Sequence, residues 1–358
     1  MKYILLLTVL LTSTAFAAPD FDETMAAANQ GDAYAQFNLG VMYANGEGVP
    51  ENDAEAVKWY RKAADKGLDN AQSRLGLMYS AGNGISQDHT QAAKWFKKAA
   101  GQGYEPAQYN LGVMYERGTG VPNNIIKAVQ WHTEAADQGL ALSQAKLALI
   151  YFNGAEGVPK NNANAYKWFK KAAEQGNAQD QYYLAAVYDR GEITTENPTE
   201  AFTWYKKAAD QGLVSAQFAV SEMYGIGRGV SEDALKEIEW LRKAGEQGHV
   251  DSQHRLGVYY SVGDRVVLKD IKESVYWLRK AASAGHSDSH MLLGINYRLG
   301  EGVGKDKIRA LMWWLLASNQ GNESAYKYLS ELRLTKRQIA QAQALAAQCY
   351  ESNYKDCD

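Results

Sequence analysis

Residues 35–64 read AQFNLGVMYANGEGVPENDAEAVKWYRKAA, and variants of this segment recur along most of the chain. Its first part, with the residues just before it, predicts a helix over 32–45. Ala35, Leu39 and Tyr43 are spaced four residues apart, so they fall on one helical face. The segment therefore begins with an amphipathic helix that needs a partner for its apolar face.

The glycines of the segment indicate where its helices end. Gly46 and Gly48 end the first helix, because glycine accepts left-handed backbone geometry without a Cβ clash. Asp53 is expected to cap a second helix over 54–66, which Gly67 ends. The segment thus predicts two helices joined by a glycine-rich loop.

This helix pair is one repeat of a longer array. Tryptophan recurs at intervals of 36 or 37 residues, at positions 59, 95, 131, 168, 204, 240, 277 and 313. Such a period is typical of a solenoid in which each unit buries its apolar face against its neighbours. We expect eight repeats over 31–320, with bounds at 31–66, 67–102, 103–138, 139–175, 176–211, 212–247, 248–284 and 285–320.

One position inside the first helix is small in every repeat. It holds Gly40, Gly76, Gly112, Ala148, Ala185, Ser221, Gly257 and Gly294. Glycine inside a helix costs about 1 kcal/mol relative to alanine, so its recurrence indicates a packing requirement. A bound cofactor could also require small side chains. Close approach of a neighbouring helix is the favoured interpretation, because one helix pair cannot bury its apolar face alone.

The repeated motif carries a family resemblance. Ala-Gln-x-x-Leu-Gly-x-Met-Tyr-x-x-Gly-x-Gly-Val stands at 35–49 and 107–121, and at 71–85 with a final isoleucine. Ala-x-x-Trp-x-x-Lys-Ala-Ala stands at 56–64 and 92–100. These motifs resemble Sel1-like repeats, relatives of tetratricopeptide repeats with a longer loop. The resemblance implies an all-α fold, a right-handed superhelical solenoid of antiparallel helix pairs whose first helices line a concave surface, and an adaptor that binds proteins.

Three loops depart from the motif. Repeat four has an extra residue between Gly154 and Val158, and repeat five has Ile193 in place of the second loop glycine. Repeat seven reads Gly263-Asp-Arg-Val-Val in place of Gly-x-Gly-Val. Loops vary readily in solenoids, so sequence drift is the favoured interpretation and a specific binding role the alternative.

The first 17 residues have the pattern of a secretory signal. Lys2 precedes an apolar run from Ile4 to Leu11, and Ala15-Phe16-Ala17 is a small-residue cleavage pattern. We expect cleavage after Ala17 and a periplasmic or secreted location. A retained membrane anchor is the alternative, although the apolar run is too short to span a bilayer.

Both ends of the repeat array are expected to carry caps. Residues 18–30 form a lead-in or first cap, and residues 321–358 form capping helices, with Thr335-x-x-Gln338 as a capping box. Cys349 and Cys357 are the only cysteines. In an oxidising compartment we expect them to form one short disulfide, with two free thiols as the alternative.

Charge and hydropathy limit the kinds of partner that the chain can bind. The formal net charge is −3, and loss of Lys2 with the signal makes it −4. The chain therefore has no basic surplus with which to bind nucleic acid. No later segment approaches the roughly 18 apolar residues of a membrane span, so we expect no stable membrane insertion. We expect a monomer that binds one or more protein partners and needs no cofactor.

The histidines do not predict a metal site. His286 and His290 have i, i+4 spacing, and His249 and His254 lie one repeat earlier. His249 and His286 both follow the glycine that begins a repeat, where other residue types stand elsewhere. Surface or helix-capping roles are favoured over a zinc site, because the sequence places no third ligand.

No catalytic residues are predicted either. Ser324-Ala-Tyr-Lys327 matches the Ser-x-x-Lys of penicillin-recognising enzymes, but neither Ser-Asp-Asn nor Lys-Thr-Gly accompanies it. We expect no enzyme. A peptidoglycan- or β-lactam-acting enzyme, by analogy with some exported Sel1-like proteins, is the alternative function.

The variable positions of the first helices are the candidate binding surface of an exported scaffold. They collect aromatic and arginine side chains, which are frequent hot spots of protein interfaces. The predicted partner-binding residues are Tyr109, Asn110, Arg117, Tyr182, Tyr183, Arg190, Phe218, His254, Arg255 and Tyr259. The alternative is that these side chains only solvate a groove or complete the core.

Overall fold

A computed structural model describes residues 20–263, 268–329, 332–355 and 357. Within them the chain forms nineteen α-helices and no strand, apart from an isolated bridge between Ala155 and Val158. The chain is thus all-α, as the repeat pattern predicts. The expected signal segment 1–17 and the repeat-seven loop after Gly263 lie outside the described residues.

The helices fall into two compact units, residues 1–176 and 177–358. In unit 1 the helices are α1 (Phe21–Asn29), α2 (Ala33–Asn45), α3 (Asp53–Asp65), α4 (Asp69–Ala81), α5 (His89–Gly101), α6 (Glu105–Arg117), α7 (Ile125–Asp137), α8 (Ala141–Asn153) and α9 (Asn162–Glu174). From α2 onward, even-numbered helices are the first helices of the repeats and odd-numbered helices the second.

In unit 2 the helices are α10 (Ala178–Arg190), α11 (Pro198–Asp210), α12 (Val214–Ile226), α13 (Ala234–Glu246), α14 (Val250–Val262), α15 (Ile271–Ser283), α16 (Ser287–Leu299), α17 (Lys307–Asn319), α18 (Glu323–Leu329) and α19 (Lys336–Glu351). In both units each first helix packs most extensively against the second helix of its own repeat, and within each unit it also packs against the helix before it. This succession of packed pairs is the pattern of an α-solenoid. No described helix combines the length and apolar character needed to cross a membrane.

The bounds of α2 and α3 agree with the predicted ranges to within a residue, but the predicted cap of α3 does not. Asn52, rather than Asp53, is the N-cap of α3, because its side chain accepts the Glu55 N–H at 3.1 Å. An N-cap bonds the amide two or three residues later, and Asp53 is already helical. The predicted cap was therefore one residue too late.

The recurrent small position packs against the second helix of the same repeat. A Cβ added at Gly40 would lie 2.6 Å from the Tyr60 ring, and one added at Gly294 would lie 2.3 Å from Trp314 Nε1. Tyr60 and Trp314 each follow the repeating tryptophan. The expected close approach of a neighbouring helix is therefore confirmed, and the partner is the residue after the tryptophan.

A buried glutamine in the first helices connects successive repeats. Gln72 donates from Nε2 to the Ala64 carbonyl at 3.2 Å, and its Oε1 accepts from Gln102 Nε2 at 2.9 Å. Gln102 also donates to the Gly67 carbonyl at 3.0 Å. Equivalent pairs join Gln108 to Gln138, Gln144 to Gln175, Gln181 to Gln211, and Gln217 to Gln247. We call this series the glutamine ladder.

His290 takes the place of the ladder glutamine in the last repeat. Its Nε2 lies 3.0 Å from the Ala282 carbonyl, eight residues earlier, as in the glutamine repeats. The buried ring also stacks on Trp313 and lies against Tyr354. Burial lowers the pKa of His290 to about 4, although its hydrogen bond to Ala282 opposes the shift. The ring is therefore neutral at pH 7.

The variant His290→Gln should remove part of the acid sensitivity of unit 2. The folded-state pKa lies below the unfolded value near 6.5, so the unfolded chain binds the proton first. Stability from this site is present above pH 6.5 and is lost as the pH falls towards 4. We expect the variant to lose about 2 kcal/mol less than the wild type over this range.

Urea denaturation between pH 7 and pH 4 measures this difference. Gln253→His places an imidazole at the same position one repeat earlier and should add acid sensitivity. Parallel pH profiles for the wild type and both variants would contradict the assignment.

The last helix covers the core at the C-terminal end of unit 2. Thr335 and Gln338 form the expected capping box at the start of α19. Cys349 is buried in a cluster with Trp313 and Leu316, and it is bonded to Cys357 with their Cα atoms 4.6 Å apart. The disulfide thus closes the chain segment that follows α19.

Candidate binding cleft

Unit 2 has a cleft among α10, α11, α12 and α14. Its volume is about 370 Å³. We call it the unit 2 cleft, and its lining residues are Tyr182, Asp189, Tyr205, Ser215, Phe218, Ala219, Glu222, Met223, Ile226, Arg228 and Arg255. A space of this size holds one or two side chains of a partner.

Aromatic rings of α10, α11 and α12 line the cleft. The Tyr182 ring lies 5.3 Å from the Tyr205 ring and 6.1 Å from the Tyr183 ring, centroid to centroid. Phe218 packs against His249 with a centroid distance of 4.4 Å and the ring planes tilted by 31°. Burial raises the pKa of Tyr205, so its hydroxyl stays neutral at ordinary pH. These contacts hold the rings in fixed orientations.

Two carboxylates and a carbonyl hold one arginine in the cleft. Arg228 Nε lies 2.9 Å from Asp189 Oδ1, and its Nη2 lies 2.7 Å from the Asp189 carbonyl and 2.9 Å from Glu196 Oε1. The hydrogen bond with Asp189 raises the pKa of Arg228. The guanidinium is therefore ordered as well as charged.

A second arginine of the cleft pairs with a buried acid. Arg255 Nη2 donates a hydrogen bond to the carboxylate of Glu237, a residue that is only 2 % exposed. Arg255 Nη1 lies 3.6 Å from Glu222 Oε1. The guanidinium carbon lies 5.8 Å from the Phe218 ring centroid. Burial, and then Glu237, raises the pKa of Tyr259 to about 12. Arg255 thus contacts both the aromatic lining of the cleft and a buried carboxylate.

A glycine in α12 makes room for that acid. A Cβ added at Gly225 would lie 2.7 Å from the Glu237 carboxyl carbon. Gly225 is the last but one residue of α12, so the helix-propensity cost of glycine is smaller there than in the helix interior. The buried ion pair therefore depends on a small residue of the first helix.

Unit 1 contains a different charged cluster on α6, α7 and α8. Glu116 Oε1 lies 3.1 Å from Lys146 Nζ, and Glu116 Oε2 lies 3.9 Å from Nε2 of the buried His132. The interaction with His132 lowers the pKa of Glu116 to about 2 against the effect of burial, and Lys146 lowers it further. Burial lowers the pKa of His132. The Tyr109 ring packs on His132, with centroids 5.5 Å apart.

Comparison with known proteins places the whole repeat array in one family. A model of the Sel1 repeat matches eight segments, at 33–68, 69–104, 105–140, 141–177, 178–213, 214–249, 250–286 and 287–322. The chain belongs to the Sel1 repeat family. Sel1 repeat proteins generally act in protein–protein interaction.

Two solved structures resemble most of this Sel1 repeat protein. A Sel1 repeat protein from Oxalobacter formigenes is 33% identical with a TM-score of 0.67, over 87% of this chain and 89% of that chain. A protective antigen present in uropathogenic Escherichia coli strains, which displays an SLR fold, is 28% identical with a TM-score of 0.60, over 94% of this chain and 96% of that chain. Both confirm the solenoid of Sel1 repeats. No functionally curated protein matches the chain.

The structure brings three predicted partner-binding residues of this Sel1 repeat protein together. Tyr182, Phe218 and Arg255 line the unit 2 cleft. Tyr183 lies beside Tyr182, and Tyr259 lies near Glu237 without lining the cleft. Asp189, Glu222 and Arg228 also line the cleft but are not predictable from the sequence, because ion pairs between repeats have no local spacing signal.

The remaining predicted residues lie elsewhere. Arg190 is exposed at the end of α10, and His254 is half-buried on α14. In unit 1 Tyr109 and Asn110 are only 6 % and 2 % exposed, so both differ from the expected exposed surface. Tyr109 is buried because it packs against His132, a core residue of α7. Arg117 remains exposed at the end of α6.

The histidines divide between caps and core. His249 and His286 are N-caps that accept the Ser252 and Ser289 N–H groups at 3.2 Å, as a capping role predicts. A surface position is wrong for His290, which is 0 % exposed, and His132, for which no position was predicted, is equally buried. Both stand at positions where other repeats have a residue that packs or forms a hydrogen bond in the interior.

The Ser-x-x-Lys motif lies on a short helix. Ser324 and Lys327 are both exposed on α18, which has seven residues. Exposure on one face of a helix gives no enclosed pocket for a substrate. The motif therefore gains no structural support as a catalytic site.

Proposed function

We propose that this chain is an exported scaffold that binds a segment of a partner protein in the unit 2 cleft. The observation that carries the proposal is the convergence of Tyr182, Phe218, Arg228 and Arg255 on one cleft. Tyrosine and arginine are over-represented at the centres of protein interfaces. Their contacts in the free protein already fix their orientations, so less conformational entropy is lost on binding.

The charges around the cleft favour a particular kind of segment. Asp189, Glu196, Glu222 and Glu237 surround the two arginines, and Glu222 and Glu196 are about half exposed. Since the carboxylates outnumber the arginines, a basic residue of the partner gains more than an acidic one. We expect an apolar or aromatic anchor in the cleft beside a lysine or arginine that reaches Glu222.

Two features support export. The first 17 residues have the signal pattern, and Cys349 and Cys357 are bonded in the structure, as expected of an oxidising compartment. The related Escherichia coli protein is a protective antigen, which agrees with exposure outside the cytoplasm.

A pull-down from envelope extract tests the cleft. We expect Tyr182→Ala, and separately Ala219→Trp, which fills the cleft, to lose partners that the wild type retains. Tyr276→Ala is the matched control, because Tyr276 is a 48 % exposed tyrosine of a second helix in the same unit. Circular dichroism checks that each variant is folded. Equal recovery of partners by all four proteins would rule out the cleft as the binding site.

A further inference from the structure

Two histidines from successive repeats meet near the start of α16. The His254 ring of α14 stacks on the His286 ring, with centroids 4.2 Å apart and planes inclined by 23°. Ser289 contacts both rings: its Oγ lies 3.0 Å from His254 Nδ1, and its N–H donates to His286 Nδ1 at 3.2 Å. Because Ser289 holds both rings at Nδ1, their Nε2 atoms are directed away from it.

Carboxylates lie beside this pair of rings. One donor atom each from His254, His286 and Asp288 lie within 4.8 Å of one another. Asp251 Oδ1 lies 3.8 Å from His286 Nε2. Asp251 and Asp288 are the second residues of α14 and α16, so consecutive repeats supply equivalent acids. The helical repeat thus gathers two imidazoles and two carboxylates that are far apart in sequence.

We propose that His254, His286 and Asp288 bind a divalent transition-metal ion, with Asp251 within reach as a fourth ligand. Imidazole and carboxylate together suit Zn²⁺, Ni²⁺ or Cu²⁺. Donor atoms around tetrahedral Zn²⁺ are about 3.4 Å apart, so the side chains need to close by roughly 1 Å. Asp288 is exposed on the first turn of its helix, and its Oδ1 accepts a hydrogen bond from Asn322 Nδ2 at 2.6 Å. A carboxylate has two acceptor oxygens, so Oδ2 can bind the ion while Oδ1 keeps this hydrogen bond.

Burial favours the form of His254 that binds a metal ion. A histidine ligand must be neutral. Burial, and then the neighbouring His286, lowers the pKa of His254 to about 4, so its ring is neutral at pH 7. Asp288 and Asp251 oppose that shift, and they supply the negative charge that a bound cation needs.

Coordination competes with a helix cap. While His286 Nδ1 accepts the Ser289 N–H, the neutral ring carries its proton on Nε2. A metal ion at Nε2 requires the other tautomer and therefore gives up the cap, which weakens binding roughly fivefold. The positive end of the α16 dipole also opposes a cation. The two aspartates at the first turns of α14 and α16 offset this effect.

The preceding repeat provides a natural comparison. His249 caps α14 as His286 caps α16, and Asp251 stands two residues later as Asp288 does. The His249 ring, however, packs in a tilted arrangement against Phe218, where the next repeat has His254. The His249 position therefore has the cap and the acid without the second imidazole.

Zinc titration of the tag-free mature chain at pH 7.5, by calorimetry and by thermal shift, tests the proposal. We expect one Zn²⁺ per chain and a concentration-dependent rise in the midpoint of thermal unfolding. His254→Phe, which copies the packing of Phe218 on His249, should weaken binding at least tenfold, since even loss of an outer-shell partner costs about 10- to 100-fold. Asp288→Asn should weaken it as well. His249→Ala should bind Zn²⁺ as the wild type does.

Two results would overturn the site. One is the absence of saturable Zn²⁺ binding by the wild type. The other is unchanged affinity in His254→Phe, which would place any bound zinc elsewhere. Circular dichroism of His254→Phe separates loss of a ligand from loss of the fold.

Discussion

Replacing Gly294 with alanine should destabilise unit 2 by about 2 kcal/mol, although alanine is the better helix former by about 1 kcal/mol. The added Cβ would lie 2.3 Å from Trp314 Nε1, so the fully buried indole must move. That movement also strains the hydrogen bond from Trp314 Nε1 to the Met291 carbonyl, which is 3.1 Å long. Urea denaturation and amide hydrogen exchange in α16 measure the loss.

The control is a helical glycine with open space around it. A Cβ added at Gly101, the last residue of α5, has nothing within 4 Å. Gly101→Ala should therefore be neutral or stabilise the protein by up to about 1 kcal/mol. The two glycine-to-alanine changes should thus have opposite signs. A Gly294→Ala protein at least as stable as the wild type would show that the small position is not set by packing.

Replacing Arg255 with methionine should cost about 3 kcal/mol, because it leaves the buried Glu237 carboxylate without its cation. Methionine keeps much of the apolar stem and its contact with Phe218, so lost packing contributes little. Chemical denaturation at pH 7 measures the change.

A second substitution separates charge from packing. In Glu237→Gln/Arg255→Met the buried group is neutral, and we expect more than half of the lost stability to return. Arg228→Met is the matched control in the same cleft. Its partners Asp189 and Glu196 are more exposed than Glu237, so its loss should not exceed about 1 kcal/mol. Equal losses for Arg228→Met and Arg255→Met would contradict the buried ion pair.

The fold could be predicted from the sequence because the residues that mark its helices recur at a regular interval. Trp59 and its seven successors mark the second helices, and the loop glycines mark the ends of the first helices. Each signal repeats eight times, so local ambiguity averages out. The cap of α3 was misplaced by one residue because Asn52 and Asp53 are both good capping residues and only the geometry separates them.

The cleft could be predicted only in part. Aromatic and arginine side chains on the first helices identified Tyr182, Phe218 and Arg255, since repeat phase tells which helix a residue is on. Burial depends on what faces a residue from the next helix. Tyr109 was misjudged because His132, at the position of Tyr60 and Phe96 in earlier repeats, provides a ring for it to pack against.

The glutamine ladder was overlooked although its signal was in the motif. The Ala-Gln pair at the start of the first helices and the glutamine before most repeat-starting glycines are both visible in the sequence. Their pairing across 30 or 31 residues follows only once the helices are placed. Likewise, the contact of His254 with His286 arises from stacking of successive repeats, and no spacing rule for metal ligands contains it.

The ladder also bears on how such a chain changes length in evolution. Gln72, Gln108, Gln144 and Gln217 each donate to the carbonyl eight residues earlier, in the preceding repeat, so duplication or deletion of one whole repeat forms the same bond again at the new junction. Insertion of part of a repeat would instead bury an amide without a hydrogen-bond partner, which costs free energy of folding. We therefore expect insertion or deletion in steps of 36 or 37 residues to be tolerated at the junctions between repeats, so that the length of the array can change independently of any one binding site.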